Sequence, residues 1–410
     1  MVQRTIRLVR EQNPNVDITV ATSVQQVEAL GLQMQGEYEL SLEPQRRGTA
    51  PAIMLAASHI AWKQGADPNS TVVVMPIDTF ADSSYYANIA KLDNAVQAEE
   101  GNIILLGVEP TYPSQKYGYI VPEANHANDA VKPVIRFMEK PDESLAAELI
   151  GQGALWNCGV FAFKLSYLMS IIGSYSTAES YEDLRSSYAG LPTNSFDYEV
   201  VERTAAVAVI PYSGTWKDLG TWNTLTEEFV DLYAGKVWAD EGTLDNVHVC
   251  NETGMPLVVA GLSNVVVAAT PDGILVSGKE ESAHIKELVE EAAAIRPMYE
   301  RKCWGEYRVI DEGAYRDGSH VLTKELVLLP GEQLPYQRHA NRTVVLVVTD
   351  GEGEIVRDGE VFAVKVGDSV SIVPGQMHAS RAISELHIVE VQIGCSLAED
   401  EIENLGNYWV

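Results

Sequence analysis

Between Val16 and about Tyr233 the chain alternates short, near-continuous apolar runs with stretches of helical period, and this alternation constrains the fold more than any other feature. The runs DITVATS, TVVVMPID, NIILLGVEP, VIRFMEK, GVFAFK and AVAVIPY are rich in β-branched residues. APAIMLAASHIAWKQ and SSYYANIAKLDNAVQAEE are amphipathic helix candidates among them. Strands apolar on both sides and separated by helices predict a mostly parallel, doubly wound α/β sheet covered on both faces. In such sheets ligands bind at the carboxyl ends of the strands, where the polar residues of these runs lie.

The texture then changes. From about Val237 to Gly278 the short strands VHVC, PLVVAGL, NVVVAAT and GILVSG follow one another with Gly, Asn, Asp and Thr between them. No helical pattern intervenes, which predicts a small β-solenoid-like bridge, with EESAHIKELVEEAAAI as a spacer helix. From Cys303 onward, strands separated by closely spaced turn signals predict an antiparallel β-barrel or jelly roll. The expected organisation is an α/β domain over 1–236, a bridge and spacer over 237–300, and a β-barrel over 301–410.

Composition narrows the partners. With 58 acidic against 29 basic residues the formal charge is −29, which argues against a nucleic-acid surface because phosphate backbones need a basic footprint. A single nucleotide remains compatible, since one or two cations, a divalent metal and backbone amides can hold it. No signal peptide or membrane span is legible, and the four cysteines show no paired spacing. A cytoplasmic protein with reduced thiols is expected.

Three clusters carry chemistry. In LEPQRRGTAPAI, Arg46 and Arg47 precede Thr49, which resembles a helix N-cap, and Pro51 at an early helical position. Arginines beside a helix N-terminus form an anion site, or equally a well-capped surface helix. In VVVMPIDTF an apolar strand leads through Pro76 to Asp78, and GTWKDLGTW supplies Asp218. Two such carboxylates suit Mg²⁺ held against a triphosphate; each alone suits a turn. In KYGYI, FMEKP and GALWNCGVFAFK, Gly118 permits close backbone approach and Glu139 accepts from sugar hydroxyls. Lys140 supplies a cation for a phosphate, and Asn157 offers both a donor and an acceptor.

In the order EPQRRGTAPAI, MPID, KYGYI, FMEKP, ALWNCGVFAF, SFDYEVVE and WKDLGTW, the chain resembles the mannose-1-phosphate guanylyltransferase family. The tail resembles the mannose-6-phosphate isomerase (cupin) domain fused to it in bifunctional members. The resemblance implies a Rossmann-like nucleotidyltransferase domain joining GTP to mannose 1-phosphate, giving GDP-mannose and pyrophosphate. It implies Asp78 and Asp218 as Mg²⁺ ligands, Gly118, Tyr119, Glu139 and Asn157 at the mannose, and Lys140 at the sugar phosphate. Arg47 and Thr49 would lie on the nucleotide side. Attack on the α-phosphorus would be in line, without a covalent intermediate.

Two departures shape the expectation. Family members begin with a strand and a loop of the type G-G-x-G-x-R-L-W-P-L-S-R that cradles the triphosphate, whereas MVQRTIRLV resembles the helix after it. The sheet is therefore expected without its first strand, and turnover is expected to be weak or absent. One preorganised donor of this kind is worth roughly 3 kcal/mol of barrier. A start at an internal Met and a decayed homologue are the alternatives. Gly48 stands where the family carries Asn or Asp. In the tail, GEQLPYQRHANRTVVLVVTDG keeps the cupin spacing from Gly331 to Gly351 with Gln337 and His339, but Val344 replaces the carboxylate ligand. His378 comes from the second cupin motif. Without the carboxylate, Gln337, His339 and His378 read as a degenerate site, and isomerase activity is not expected. The rival to an enzyme is a non-catalytic sugar-nucleotide-binding or regulatory homologue. A homodimer is possible by the resemblance.

Overall fold

The computed structural model describes residues 1–410 except 35, 37, 125–129, 293–295, 399, 400 and 410. The chain folds as two compact units, Met1–Gly220 and Thr221–Val410.

In the first unit the strands are β1 (Thr19–Ser23), β2 (Glu39–Glu43), β3 (Thr71–Val74), β4 (Thr79–Ala81), β5 (Ile103–Val108), β6 (Gly118–Pro122), β7 (Lys132–Met138), β8 (Leu155–Lys164), β9 (Val207–Tyr212) and β10 (Trp216–Asp218). The helices are α1 (Val2–Gln12), α2 (Val27–Gln33), α3 (Thr49–Ser58), α4 (Ser83–Gln97), α5 (Glu143–Gly151), α6 (Leu165–Tyr175), α7 (Tyr181–Ser186) and α8 (Phe196–Glu199). The main sheet runs β3-β8-β5-β9-β7-β6.

Every residue of β5 is buried, and its side chains divide by parity. Ile104, Leu106 and Val108 enter a core with Tyr85, Ile89 and Leu92 of α4 and Leu149 of α5. Ile103 and Leu105 enter a second core with Met54 of α3, Leu168 of α6 and Phe196 of α8. A run apolar at every position is the pattern needed to bury both faces of one strand. The two-faced α/β expectation therefore holds.

The expectation of a mostly parallel sheet does not. β5 and β9 run parallel, while β8 is antiparallel to β3, β5 and β6, and β7 to β6 and β9. An apolar run reports burial on two faces and carries no direction, so sequence periodicity could not see this.

β1 and β2 pair in parallel as a separate two-stranded sheet. β3 is bonded only to β8, and all four of its residues are half-buried despite the run TVVV. Helix α1 packs against α4, and its Arg4 donates to the Ala81 carbonyl at 2.7 Å and lies over the Phe80 ring.

In the second unit, His248–Asn251 pairs in parallel with Tyr233–Gly235 and Val265–Thr270, and Val237–Ala239 with Leu257–Val259. Successive coils stack in parallel, with Asn246 donating to Asn264 at 2.9 Å and Val247, Val249, Val259 and Val267 inside. This is the expected solenoid-like texture. The spacer is shorter than expected: a single turn at Glu281–Ala283, then a helix at Lys286–Ala292, its remainder lying outside the described residues.

The C-terminal strands form a six-stranded and a five-stranded antiparallel sheet. They enclose Leu326, Leu346, Val348, Ile355, Ile372 and Ile388. Among the described residues no helix is long and apolar enough to cross a membrane.

The fold predicts unequal costs of truncation. Leu105, fully buried at the centre, should cost about 3 kcal/mol as Leu105→Ala, and half-buried Val73 about 1 kcal/mol as Val73→Ala, measured by urea unfolding.

Candidate active site

The site is built from strand ends. After β3 the chain turns at Pro76 and presents Asp78, exposed, just before β4. β4 pairs antiparallel with β10, placing Asp218 opposite Thr79 and so beside Asp78. Burial lifts the Asp218 carboxyl above its ordinary range, and the charge of Asp78 adds to the lift. The Gly220 amide, donating to Asp218 Oδ1 at 2.8 Å, and Lys116 oppose it. Two neighbouring carboxylates that repel each other are relieved by a dication. Among the described residues no three His, Cys, Asp or Glu side chains gather around one cation position. The pair thus suits a hard ion that takes one or two carboxylates and completes its shell with phosphate oxygens and water.

The second cluster lies where β6, β7 and β8 meet. Gly118 on β6 stands opposite Asn157 on β8, and Glu139 follows the end of β7. A Cβ at Gly118 would stand 2.4 Å from Glu139 Oε2, so only glycine admits that carboxylate. Burial first, then the charge of Asp197, raises the Glu139 carboxyl; Lys140, with Nζ 3.2 Å from Oε1, opposes them. Lys140 has φ +46°, sparsely populated for a non-glycine residue, and keeps its ammonium more than half exposed. Strain of this kind concentrates at functional positions.

Tyr119 differs from the expectation. It is fully buried, and its hydroxyl donates to Ser114 O and accepts from Ser114 N and Trp156 Nε1. One donor and two acceptor positions are thereby filled, so Tyr119 backs the site and has no hydroxyl capacity left for a ligand.

Arg47 and Thr49 are held by the protein itself. The Arg47 guanidinium donates twice to the Leu191 carbonyl, at 3.3 and 2.8 Å, and Thr49 Oγ1 accepts from Phe196 N at 2.9 Å. Thr49 is the first residue of α3, and Gly48, not Thr49, is the N-cap. Gly48 has φ +92°, and a Cβ there would stand 2.5 Å from the Asn194 carbonyl. The close approach of two backbones, invisible in sequence, explains the glycine.

One residue the sequence motifs left without a role joins the second cluster. Asp197, the second residue of α8, accepts from Asn157 Nδ2 at 2.6 Å. Its position in SFDYEVVE, just after the Ser195 cap, is an ordinary place for an acidic residue at a helix start, which hid it.

In the barrel, Gln337 stands opposite His378, and the His339 and His378 rings are 4.9 Å apart. Val344 is fully buried beside them in sequence spacing and offers no donor. The sequence did not reveal the neighbouring polar chain. Buried Arg342 donates to Gln392 at 2.7 Å and to Glu401 at 3.2 Å, and Gln392 donates to Glu390 at 3.0 Å.

Comparison with known proteins is decisive for the family. The nucleotidyl transferase profile matches residues 1–235, and the profile "mannose-6-phosphate isomerase C-terminal" matches residues 290–407. The chain belongs to the nucleotidyl transferase family. Among its relatives, the alginate biosynthesis protein AlgA of Pseudomonas putida is 31% identical, over 92% of this chain and 82% of that protein. Mannose-1-phosphate guanylyltransferase RfbM of Salmonella typhimurium is 28% identical, over 89% of this chain and 80% of that protein. A solved structure described as mannose-1-phosphate geranyltransferase from Thermus thermophilus has TM-score 0.58 and 28% identity, covering 71% of this chain and 89% of that one. The chain therefore joins a nucleotidyl transferase domain to a cupin-like C-terminal domain, an arrangement matched along most of AlgA. Nucleotidyl transferases of this family generally use a divalent metal.

The barrel of this nucleotidyl transferase carries its own pH dependence. Burial lowers the His378 imidazole from 6.5 to about 4. Between those values the unfolded chain binds more protons, so stability is complete above pH 6.5 and falls as pH drops to about 4. This residue contributes about 3 kcal/mol to that loss, and His378→Leu should flatten it in urea midpoints measured across the window.

Proposed function

We propose that the first unit is a mannose-1-phosphate guanylyltransferase, transferring GMP from GTP to mannose 1-phosphate with Mg²⁺ and releasing pyrophosphate. The observation that carries the proposal is the convergence of two separate clusters on neighbouring strand ends. Asp218 stands opposite Thr79 on the β4–β10 pair, close enough to Asp78 to feel its charge, and Glu139, Lys140, Asn157 and Gly118 meet where β6, β7 and β8 adjoin. The relative RfbM, which bears this activity in its name, aligns over most of the chain.

Each group has a task that fits its chemistry. Asp78 and Asp218 would hold Mg²⁺, whose charge stabilises the pentavalent phosphorus in the transition state. Lys140, exposed at its tip, pairs with the sugar phosphate and aligns the attacking oxygen. Glu139 and Asn157 take the sugar hydroxyls, and Gly118 clears the space they need. No covalent enzyme intermediate is required.

A second reading, a sugar-nucleotide-binding homologue without turnover, draws on one observation: Arg47 and Thr49 are engaged by the 191–196 segment. The two readings share the sugar cluster and differ at the metal. The proposal does not extend to isomerisation, because Val344 stands where the cupin spacing has its carboxylate and the nearby Glu401 is taken up by Arg342 and the Asn341 amide.

Pyrophosphate release by the 410-residue chain with GTP, mannose 1-phosphate and Mg²⁺ tests the transferase. Asp78→Ala should lower the rate by at least about 10²-fold. A rate equal in the variant sinks the metal assignment, and GDP-mannose binding without any pyrophosphate release selects the binding homologue. Gly118→Ala should weaken mannose 1-phosphate binding about tenfold while leaving the fold intact, because the atom it displaces is the tip of Glu139.

A further inference from the structure

A buried carboxylate oxygen without a partner is an expensive feature to keep. The Glu139 side chain is 8% exposed, its Oε1 is paired with Lys140, and its Oε2 is buried with no donor among the described residues. Such a group costs ~1–3 kcal/mol or more unless a ligand completes it. A Cβ at Gly118 would stand 2.4 Å from Oε2, and the glycine leaves that space open.

Next to it stands a carboxamide that cannot turn. Asn157 Nδ2 donates to Asp197 Oδ1 at 2.6 Å, and Asn157 Oδ1 accepts from Gly159 N at 3.1 Å. Flipping the amide would forfeit both bonds, so one N–H and one lone pair are left in fixed directions. Asp197 thus touches both members of the sugar cluster, Asn157 by a hydrogen bond and Glu139 by its charge.

We propose that Asp197 is a positioning residue, which locks the Asn157 carboxamide and holds Glu139 Oε2 poised for one of two neighbouring hydroxyls of the sugar. The proposal rests on the sugar-phosphate reading of this cluster and adds to it the residue that organises the hydroxyl contacts. One hydroxyl donates to Glu139 Oε2; its neighbour meets the remaining N–H and lone pair of Asn157.

The arrangement has a consequence in pH. The charged groups facing Glu139 are Asp197 on α8, Glu202 on the following turn and the adjacent Lys140. Burial and the two acidic neighbours raise the Glu139 carboxyl, and Lys140 opposes them. A hydroxyl donating to Glu139 favours the ionised form. Binding therefore releases a proton where Glu139 is still protonated, and affinity climbs with pH until it is ionised. Removing the Asp197 charge lowers the Glu139 carboxyl and moves this acid limb to lower pH.

Calorimetry of mannose 1-phosphate binding to the whole chain, from pH 4 to pH 8, tests it, alongside carbon-13 carboxyl titration of Glu139. Asp197→Asn should shift both the limb and the Glu139 titration downward, and weaken binding on the alkaline plateau about tenfold. Asn157→Ala should lose affinity at every pH with the limb in place, and Glu139→Gln should lose the limb; both stand in if Asp197→Asn does not fold. An affinity loss in Asp197→Asn that is uniform in pH, with Glu139 titrating as before, overturns the positioning role alone. Absence of mannose 1-phosphate binding by the unmutated chain overturns the proposed function and the sugar role with it.

Discussion

The first unit depends on one strand being buried on both sides. β5 places Ile104, Leu106 and Val108 into one core and Ile103 and Leu105 into another, so the helices on each face are held through five side chains of one strand. That double burial is what lets β8 and β9 lie at its two sides, one antiparallel and one parallel to it. Several polar groups of the site follow from that order: Asn157 lies on β8, Asp218 on the strand after β9, and Glu139 at the end of β7, which pairs with β9.

The site then works by contrast between exposed and buried charge. Asp78 and Lys140 reach solvent, where the proposed cation and sugar phosphate would arrive. Asp218, Glu139 and Asp197 are withdrawn, and burial raises each of them. A withdrawn carboxylate interacts more strongly with whatever finally neutralises it, because little water screens the pair. The barrel shows the opposite choice. Where the cupin spacing calls for an anion it has Val344, and beside it Arg342, Gln392, Glu390 and Glu401 bond to one another.

Legibility followed the range of the interaction. Asp78, Glu139 and Asn157 stood out as candidates because the first two end apolar runs and the third precedes one, a local signal that survives without coordinates. Tyr119 was misplaced because a run such as KYGYI does not say which face turns inward, and Trp156 and Ser114 claim its hydroxyl only once β6 and β8 are paired. Asp197 was hidden for the same reason: a helix-start carboxylate is commonplace until a strand from far along the chain brings Asn157 to it.

The sequence by itself determined the classes of structure in their order, from the α/β unit through the stacked β bridge to the barrel, because burial periodicity is a property of neighbouring residues. It also determined the family, because the motifs keep their order. Only the tertiary structure decided strand direction, the need for glycine at 48 and 118, and the company kept by Arg47, Thr49, Tyr119 and Asp197. These depend on which backbones approach each other across the sheet, and that approach is set by packing between segments far apart in the chain, which no local pattern encodes.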